Sequence, residues 1–183
     1  MAETVGSAAG KGRGQDASAV YSLGSSEGER ARLQRQADEL APDSRALLDR
    51  VGLRPGQSAI DLGCGPHGIV DLLAVRVSPG GRVVGLDADA VHTAMAAELV
   101  AERGLHGEQI LTGDARRTGL PSRSFELVHT RTLLITIPEP AEVIAEMVRL
   151  ARPGGWLASM EYDMEYALCV RVHTCRARGH LLG

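Results

Sequence analysis

The stretch "AIDLGCGPHGIVDLL", residues 59–73, decides the fold. A short apolar run ends at a turn in which Gly63, Gly65 and Gly68 carry the spacing of the glycine-rich turn that closes over a dinucleotide pyrophosphate. Glycines at 63 and 65 let the backbone turn tightly and approach a ligand closely, where a β-carbon would obstruct it. An acid, Asp61, sits two residues before the first of them. Which ligand the turn holds is therefore an open question at this point.

Working outward, "SAIDL" is one of five short apolar runs, the others being "RVVGLD", "QILTGD", "FELVHT" and "WLASMEY". Helical segments lie between them. The clearest spans residues 89 to 103, where Val91, Met95 and Leu99 recur every fourth residue and Gly104 ends the helix. Another covers about 139 to 151, with Val143, Met147 and Leu150 on one face and "RPGG" stopping it. Such alternation predicts parallel strands with helical crossovers, hence an α/β, doubly wound, Rossmann-like sheet over residues 55–162.

Upstream, residues 20–54 read as a helical segment able to act as a lid. Leu33, Ala37 and Leu40 share a face until "APD" interrupts at Pro42, and a second short helix, capped by Asp43 or Ser44, carries Leu47, Leu48 and Val51 up to Gly52. Residues 1–19 are small, polar and Gly-rich, the composition of a disordered leader. Their "GKGRG" is no phosphate loop, since it neither follows a strand nor supplies Lys before Ser or Thr.

The totals exclude several function classes. With 183 residues and 44% hydrophobic content the chain builds one ordinary core. A net charge of -3 with scattered Lys and Arg offers no basic stripe for nucleic acid or an anionic membrane, and five aromatic residues leave little for base stacking. No apolar run approaches the roughly 20 residues of a membrane span, and the N-terminus lacks an apolar signal core, so the expected location is the cytoplasm. Cys64, Cys169 and Cys175 form no disulfide framework and read as reduced thiols, with Cys64 in the turn for its small size.

In a doubly wound sheet, ligands bind at the carboxyl ends of the strands where strand order reverses. Asp61, Asp87, Asp114, Thr130 and Arg131 all fall at such ends. Asp87 lies 19 residues after Gly68, about where a carboxylate accepts from both ribose hydroxyls of an adenosine. A pyrophosphate over the turn would suffer from the charge of Asp61, whereas an ammonium or sulfonium group would be tolerated or favoured. The turn thus suits a cationic adenosine better than a nicotinamide dinucleotide. Asp87 and Asp114 have a plainer alternative as caps of the helices that follow them.

"IDLGCGPHG", "VVGLDAD", "TGDARRTGLPSRSFELVHTR" and "VRLARPGGWL" resemble, in order, the motifs of class I S-adenosylmethionine-dependent methyltransferases, from about residue 57 to 161. The upstream "YSLGSSEGERARLQRQA" is similar to the N-terminal segment of bacterial members that methylate small molecules. The resemblance implies S-adenosyl-L-methionine as cofactor. It would place Gly63 and Gly65 under the methionine part, Asp61 near its amino group directly or through water, and Asp87 on the ribose hydroxyls. Ala88 would pack against adenine, Asp114 would accept from the adenine amino group beside the Ala115 N–H, and Thr130 would face the methionine moiety.

No obligatory catalytic residue is implied, and none is assigned. His129 and His67 are the candidates for a base, against a plain reading of His129 as a polar strand-end residue. "HTRTLLITIPEP" lacks the Asn-Pro-Pro-aromatic motif of members that methylate amide or adenine nitrogens, which disfavours DNA adenine and glutamine side chains as acceptors, while the resemblance of the upstream segment implies a small-molecule acceptor. Arg131 could reach a carboxylate or form a structural ion pair, Tyr21 and Gln36 could close over the cofactor, and Glu161 and Asp163 could meet substrate.

Such methyltransferases continue past strand five through a helix and an antiparallel strand pair, for which the 20 residues after Asp163 are too few. The expectation is therefore five strands without that pair, a short atypical tail over 163–183, and strand five as an edge open to self-association. A truncated, non-catalytic binder of the cofactor or of a partner is the alternative to a working enzyme. Cys169, His173, Cys175 and His180 lie close together, but their gaps match no familiar zinc knuckle, and no metal site is expected.

Overall fold

The computed structural model describes residues 27–105, 107–162 and 170–176. In chain order these form α1 (Glu27–Val51), β1 (Ser58–Leu62), α2 (Val70–Val77), β2 (Arg82–Asp87), α3 (Ala90–Glu102), β3 (Glu108–Thr112), β4 (Phe125–Arg131), α4 (Pro140–Leu150), β5 (Ala151–Tyr162) and β6 (Val170–Arg176). One sheet orders them β3-β2-β1-β4-β5-β6, and every pairing from β3 to β5 is parallel. This is the doubly wound arrangement expected, with strand order reversing between β1 and β4.

The sheet has six strands rather than the five expected. β6 runs antiparallel to β5, from Trp156 opposite Arg176 to Tyr162 opposite Val170. Strand five is consequently not an edge; on that side the outer strand is β6. The difference has a simple origin. A parallel neighbour needs a helical crossover of a dozen residues or more, whereas an antiparallel one needs only a short connection, and residues 163–169 suffice. The leader over 1–19, Tyr21, Asp163 and the Cys169 and His180 of the tail lie outside the described residues, as do the side chains of His173 and Cys175.

Both faces of the sheet are covered, which is why its strands read as continuous apolar runs. Ala59, Val83, Leu127 and Ala158 point to the side where α1 and α2 supply Leu47, Leu48, Leu73 and Ala74. Their strand neighbours Ile60, Val84 and Val128 point to the other side, against Val143, Met147 and Leu150 of α4. The helical face expected for residues 139–151 is thus the buried one. For α3 it is not: Thr93 and Ala96 are buried, while Val91 is half exposed. Small residues let α3 approach closely, and a 2.7 Å hydrogen bond between Thr93 Oγ1 and Thr112 Oγ1 ties it to β3.

The expected helix break at Pro42 also does not occur, since α1 runs through it. Pro42 lacks an N–H and strains a helix interior, at a cost of about 3 kcal/mol. Packing offsets this: Leu40, Ser44, Leu47, Leu48 and Val51 form one buried stripe that is continuous only if the helix is. Ser44 is therefore not a cap. It is fully buried in mid-helix, and its hydroxyl donates to the Met160 sulfur at 3.6 Å.

Candidate functional site

The turn after β1 is held from below by the end of β2. Gly63 and Cys64 N–H both donate to the Leu86 carbonyl, at 2.7 and 3.0 Å, and Gly65 N–H donates to Asp87 Oδ2 at 2.8 Å. Gly63 adopts φ +69°, and a β-carbon there would sit 3.0 Å from Leu133 Cδ1. Pro66 has no N–H, and Ile69 N–H, just ahead of α2, donates to Asp61 Oδ2 at 3.1 Å. Five of the seven residues 63–69 therefore offer no backbone donor to a ligand. An anion-binding glycine turn works by presenting those donors.

Asp61 stands beneath the turn, with only 2% of its side chain exposed. Its register partner on β4 is His129, whose Nδ1 lies 2.7 Å from Asp61 Oδ1 and acts as the donor to that oxygen. With Ile69 on the other oxygen, the carboxyl group is satisfied on both sides. Gly68 completes the fit: a β-carbon there would lie 2.6 Å from Asp61 Oδ2 and 2.5 Å from the Cys64 carbonyl oxygen. His129 is fully buried, and its Nδ1 contact fixes one side of Asp61. Cys64 is buried as well. Desolvation, aided by the neighbouring Asp61 and Asp87 charges, pushes its thiol far above the ordinary range and keeps it from acting as a nucleophile.

Above the turn opens a crevice lined by Asp61, Gly63, Gly65, His67, Arg131 and Gln36, with apolar residues of α1 beside them. Gln36 is carried there by α1. Asp87, Ala88, Asp114, Ala115 and Thr130 do not line this crevice. Asp87 adjoins it through Gly65, and its Oδ1 accepts from Asp89 N–H at 2.9 Å. Asp89 rather than Asp87 caps α3, accepting from Val91 N–H at 2.7 Å. Gly113 N–H donates to the Asp87 carbonyl, which brings the following segment alongside.

Asp114 opens a turn instead of a helix and is engaged by its own neighbour. Arg116 donates to it through its backbone N–H, Nε and Nη2, and these bonds hold the Asp114 carboxyl below the usual range. Arg116 also reaches Glu139 at 2.7 Å. Ala115 is buried against the α4 side of the sheet. The loop bearing both is fastened to α4 by Glu146, which accepts from Thr118 N–H at 2.9 Å, Thr118 Oγ1 at 2.6 Å and Arg149 Nη2 at 2.6 Å.

Thr130 is fully buried on the face opposite His129, and its hydroxyl has no protein partner among the described residues. Glu161 also departs from a substrate-facing reading: it accepts from Ser159 Oγ at 2.8 Å and from Leu134 and Ile135 N–H, capping the turn that follows β4. Sequence reasoning did not pair Asp61 with His129 or foresee the Glu146 fastening. The first was signalled by an acid and a histidine equally near the ends of strands that become neighbours.

An α/β domain with its crevice at the β1–β4 switch point, a carboxylate ending β2 and a turn depleted of donors is a cofactor-binding domain of the nucleotide-binding architecture. Residues 60–159 match the methyltransferase domain family, and the chain belongs to that family. It is 41% identical over 115 residues, 62% of this chain and 41% of the relative, to nocamycin O-methyltransferase of Saccharothrix syringae. To demethylmenaquinone methyltransferase of Geobacillus stearothermophilus it is 31% identical over 115 residues, covering 63% of this chain and 49% of the relative. The chain thus spans less than half the length of these curated relatives. The crystal structure of a SAM-dependent methyltransferase from Aquifex aeolicus shares the fold, with TM-score 0.62 and 24% identity over 66% of this chain and 64% of that one. Among the described residues no helix is long and apolar enough to cross a membrane.

Proposed function

We propose that the chain binds S-adenosylmethionine at the β1–β4 crevice and transfers its methyl group to a small-molecule acceptor. The observation that carries this reading is the saturation of the turn. Gly63, Cys64, Gly65 and Ile69 spend their N–H groups on Leu86, Asp87 and Asp61, so the turn suits a cationic or neutral moiety and not a pyrophosphate.

Asp87 fits the ribose. A carboxylate has about four acceptor positions, and Gly65 and Asp89 use one on each oxygen, leaving one on each for two adjacent hydroxyls. Gly63 and Gly65 then carry the methionine part, with Asp61 and His129 fixing the turn from beneath. Ala88, Ala115 and Asp114 stand on the adenine side.

Methyl transfer from a sulfonium is an in-line displacement in which the cofactor supplies the reactivity. The protein's share is alignment and exclusion of water, worth about 7 to 11 kcal/mol in favourable cases. The acceptor is read as a small molecule because the chain has neither a basic stripe nor aromatics for base stacking, and two relatives carry methyltransferase names of that kind. A cytoplasmic setting accords with the unpaired thiol of Cys64.

Calorimetric titration with S-adenosylmethionine, S-adenosylhomocysteine and NAD tests the reading, with Asp87→Ala as the variant. The first two bind the wild type, NAD does not, and the variant loses about a hundredfold or more in affinity through two missing acceptor bonds. A folded wild type that binds NAD, or neither adenosyl ligand, defeats the proposal.

A further inference from the structure

α4 buries Val143, Met147 and Leu150 against the sheet, yet its outer surface is apolar as well. Ala141, Ile144, Ala145 and Val148 are all exposed, Ile144 by 46% and Val148 by 40%. Their i, i+3, i+4, i+7 spacing gathers them within an arc of about 100° on the side of the helix that faces away from the sheet. The charges of α4 stand to one flank of this stripe. Glu146 and Arg149 engage Thr118 and Ser122 there, and Glu142 lies one turn before Glu146 on the same flank. The other large hydrophobic residues exposed among the described residues, Val75, Val91 and Ile135, stand singly on separate elements. A helix that is apolar on both faces belongs in an interior, so the outer stripe marks a surface that another helix covers.

The order of sizes along the stripe identifies the occupant. It alternates small and large: Ala141, Ile144, Ala145, Val148. A second copy of α4, laid antiparallel on a two-fold axis between positions 144 and 145, brings Val148 of the second copy onto Ala141 and Ala145 of the second copy onto Ile144. Each large side chain then lies over a small one, the interdigitation that lets two helices approach closely. The charged flank agrees with the same axis. It sets Glu142 of one copy beside Arg149 of the other, with an axial offset of about 3 Å. Glu142 is exposed and forms no ion pair among the described residues, and the Arg149 side chain is 37% exposed beside its bond to Glu146. A parallel pair would instead stack Ile144 on Ile144 and Glu142 on Glu142. We propose that the outer face of α4 is a homodimer interface, an antiparallel pair of α4 helices about a two-fold axis at positions 144 and 145. The stripe covers only about two helical turns, which puts the dimer in the weak, reversible class of small interfaces.

Sedimentation equilibrium of the full chain over about 10 to 500 µM reads this directly, with the wild type passing from monomer to dimer across that range. Ile144→Glu places two like charges beside the axis and raises the dimer dissociation constant about a hundredfold or more. Ala145→Ile fills the hollow that receives Ile144 of the second copy and weakens the dimer about tenfold, although it adds apolar surface. Non-specific hydrophobic association would tighten instead. Glu142→Arg, which sets two cations together, weakens it about three- to tenfold. In a background carrying Cys169→Ser and Cys175→Ser, oxidation cross-links Ala141→Cys to Val148→Cys when the two variants are mixed, and neither variant to itself. All these α4 side chains are exposed, so the variants keep the fold, as circular dichroism checks. A wild type that stays monomeric throughout means that a different occupant, a segment of this chain or another protein, covers the stripe, and overturns the proposal without any variant. A dimer that survives Ile144→Glu, tightens with Ala145→Ile or cross-links Ala141→Cys to itself overturns it equally.

Discussion

Replacing Glu146 with glutamine should destabilise the protein by an amount that depends on pH in a defined direction. Glu146 is 7% exposed and accepts from Arg149 and twice from Thr118. These bonds, Arg149's foremost, outweigh the effect of burial and pull its carboxyl from 4.5 down to about 2. A carboxyl whose folded value lies below its unfolded one contributes stability that is fully present above the unfolded value and is lost as pH falls through the folded one. The window thus runs from about pH 5.5 down to about pH 1.5. At about 1.4 kcal/mol per unit, the drop from 4.5 to about 2 sets an upper limit near 3 kcal/mol. Arg149 is 37% exposed and its charge is screened by water, which brings the expected loss in Glu146→Gln at neutral pH to about 2 kcal/mol.

Urea unfolding followed by the single tryptophan, Trp156 on β5, measures this. The difference between wild type and variant should be about 2 kcal/mol at pH 7 and under half of that near pH 3. An equal difference at both values would mean that the substituted amide fails by packing and not by charge, and would refute the linkage argument. Because Thr118 lies in the loop that carries Asp114 and Ala115, the variant should also loosen that loop.

Two further predictions concern the floor of the turn. Gly68→Ala forces a β-carbon to within 2.6 Å of Asp61 Oδ2 and 2.5 Å of a backbone carbonyl oxygen, neither of which can yield, so it should cost about 3 kcal/mol and be visible as a lowered denaturant midpoint. His129→Leu removes one member of a buried pair and leaves Asp61 uncompensated, which should cost about 3 to 5 kcal/mol; Asp61→Asn combined with His129→Leu should recover part of the loss. Thermal melts of the single and double variants decide the second, and a double variant no more stable than His129→Leu contradicts it.

The parallel core was legible because each of its strands is a short apolar run bounded by a glycine turn, an acid or a proline, and because strand and helix alternate everywhere except between β3 and β4. Three features were not, for identifiable reasons. Pro42 is a strong local signal for a break, and only the buried stripe from Leu40 to Val51 shows that packing overrides it. In α3, regular spacing of Val91, Met95 and Leu99 suggested one face, while closeness to the sheet favoured the smaller Thr93 and Ala96. β6 was missed because the expectation assumed a helical connection, although Val170 and Val172 alternate with Arg171 and His173 at the period of a strand.

The acid at position 61 shows how a sound expectation can rest on an incomplete cause. From sequence, Asp61 argues against a pyrophosphate through charge repulsion across open space. In the fold, its carboxyl group is 2% exposed and bonded to His129 and Ile69 N–H, so little of that field reaches the crevice unshared. The selectivity arises from donors instead: Asp61 and Asp87 each take a backbone N–H that a phosphate would need, and Leu86 takes two more. Acids at the ends of β1 and β2 thereby leave a glycine turn of anion-binding spacing with few backbone donors to offer an anion.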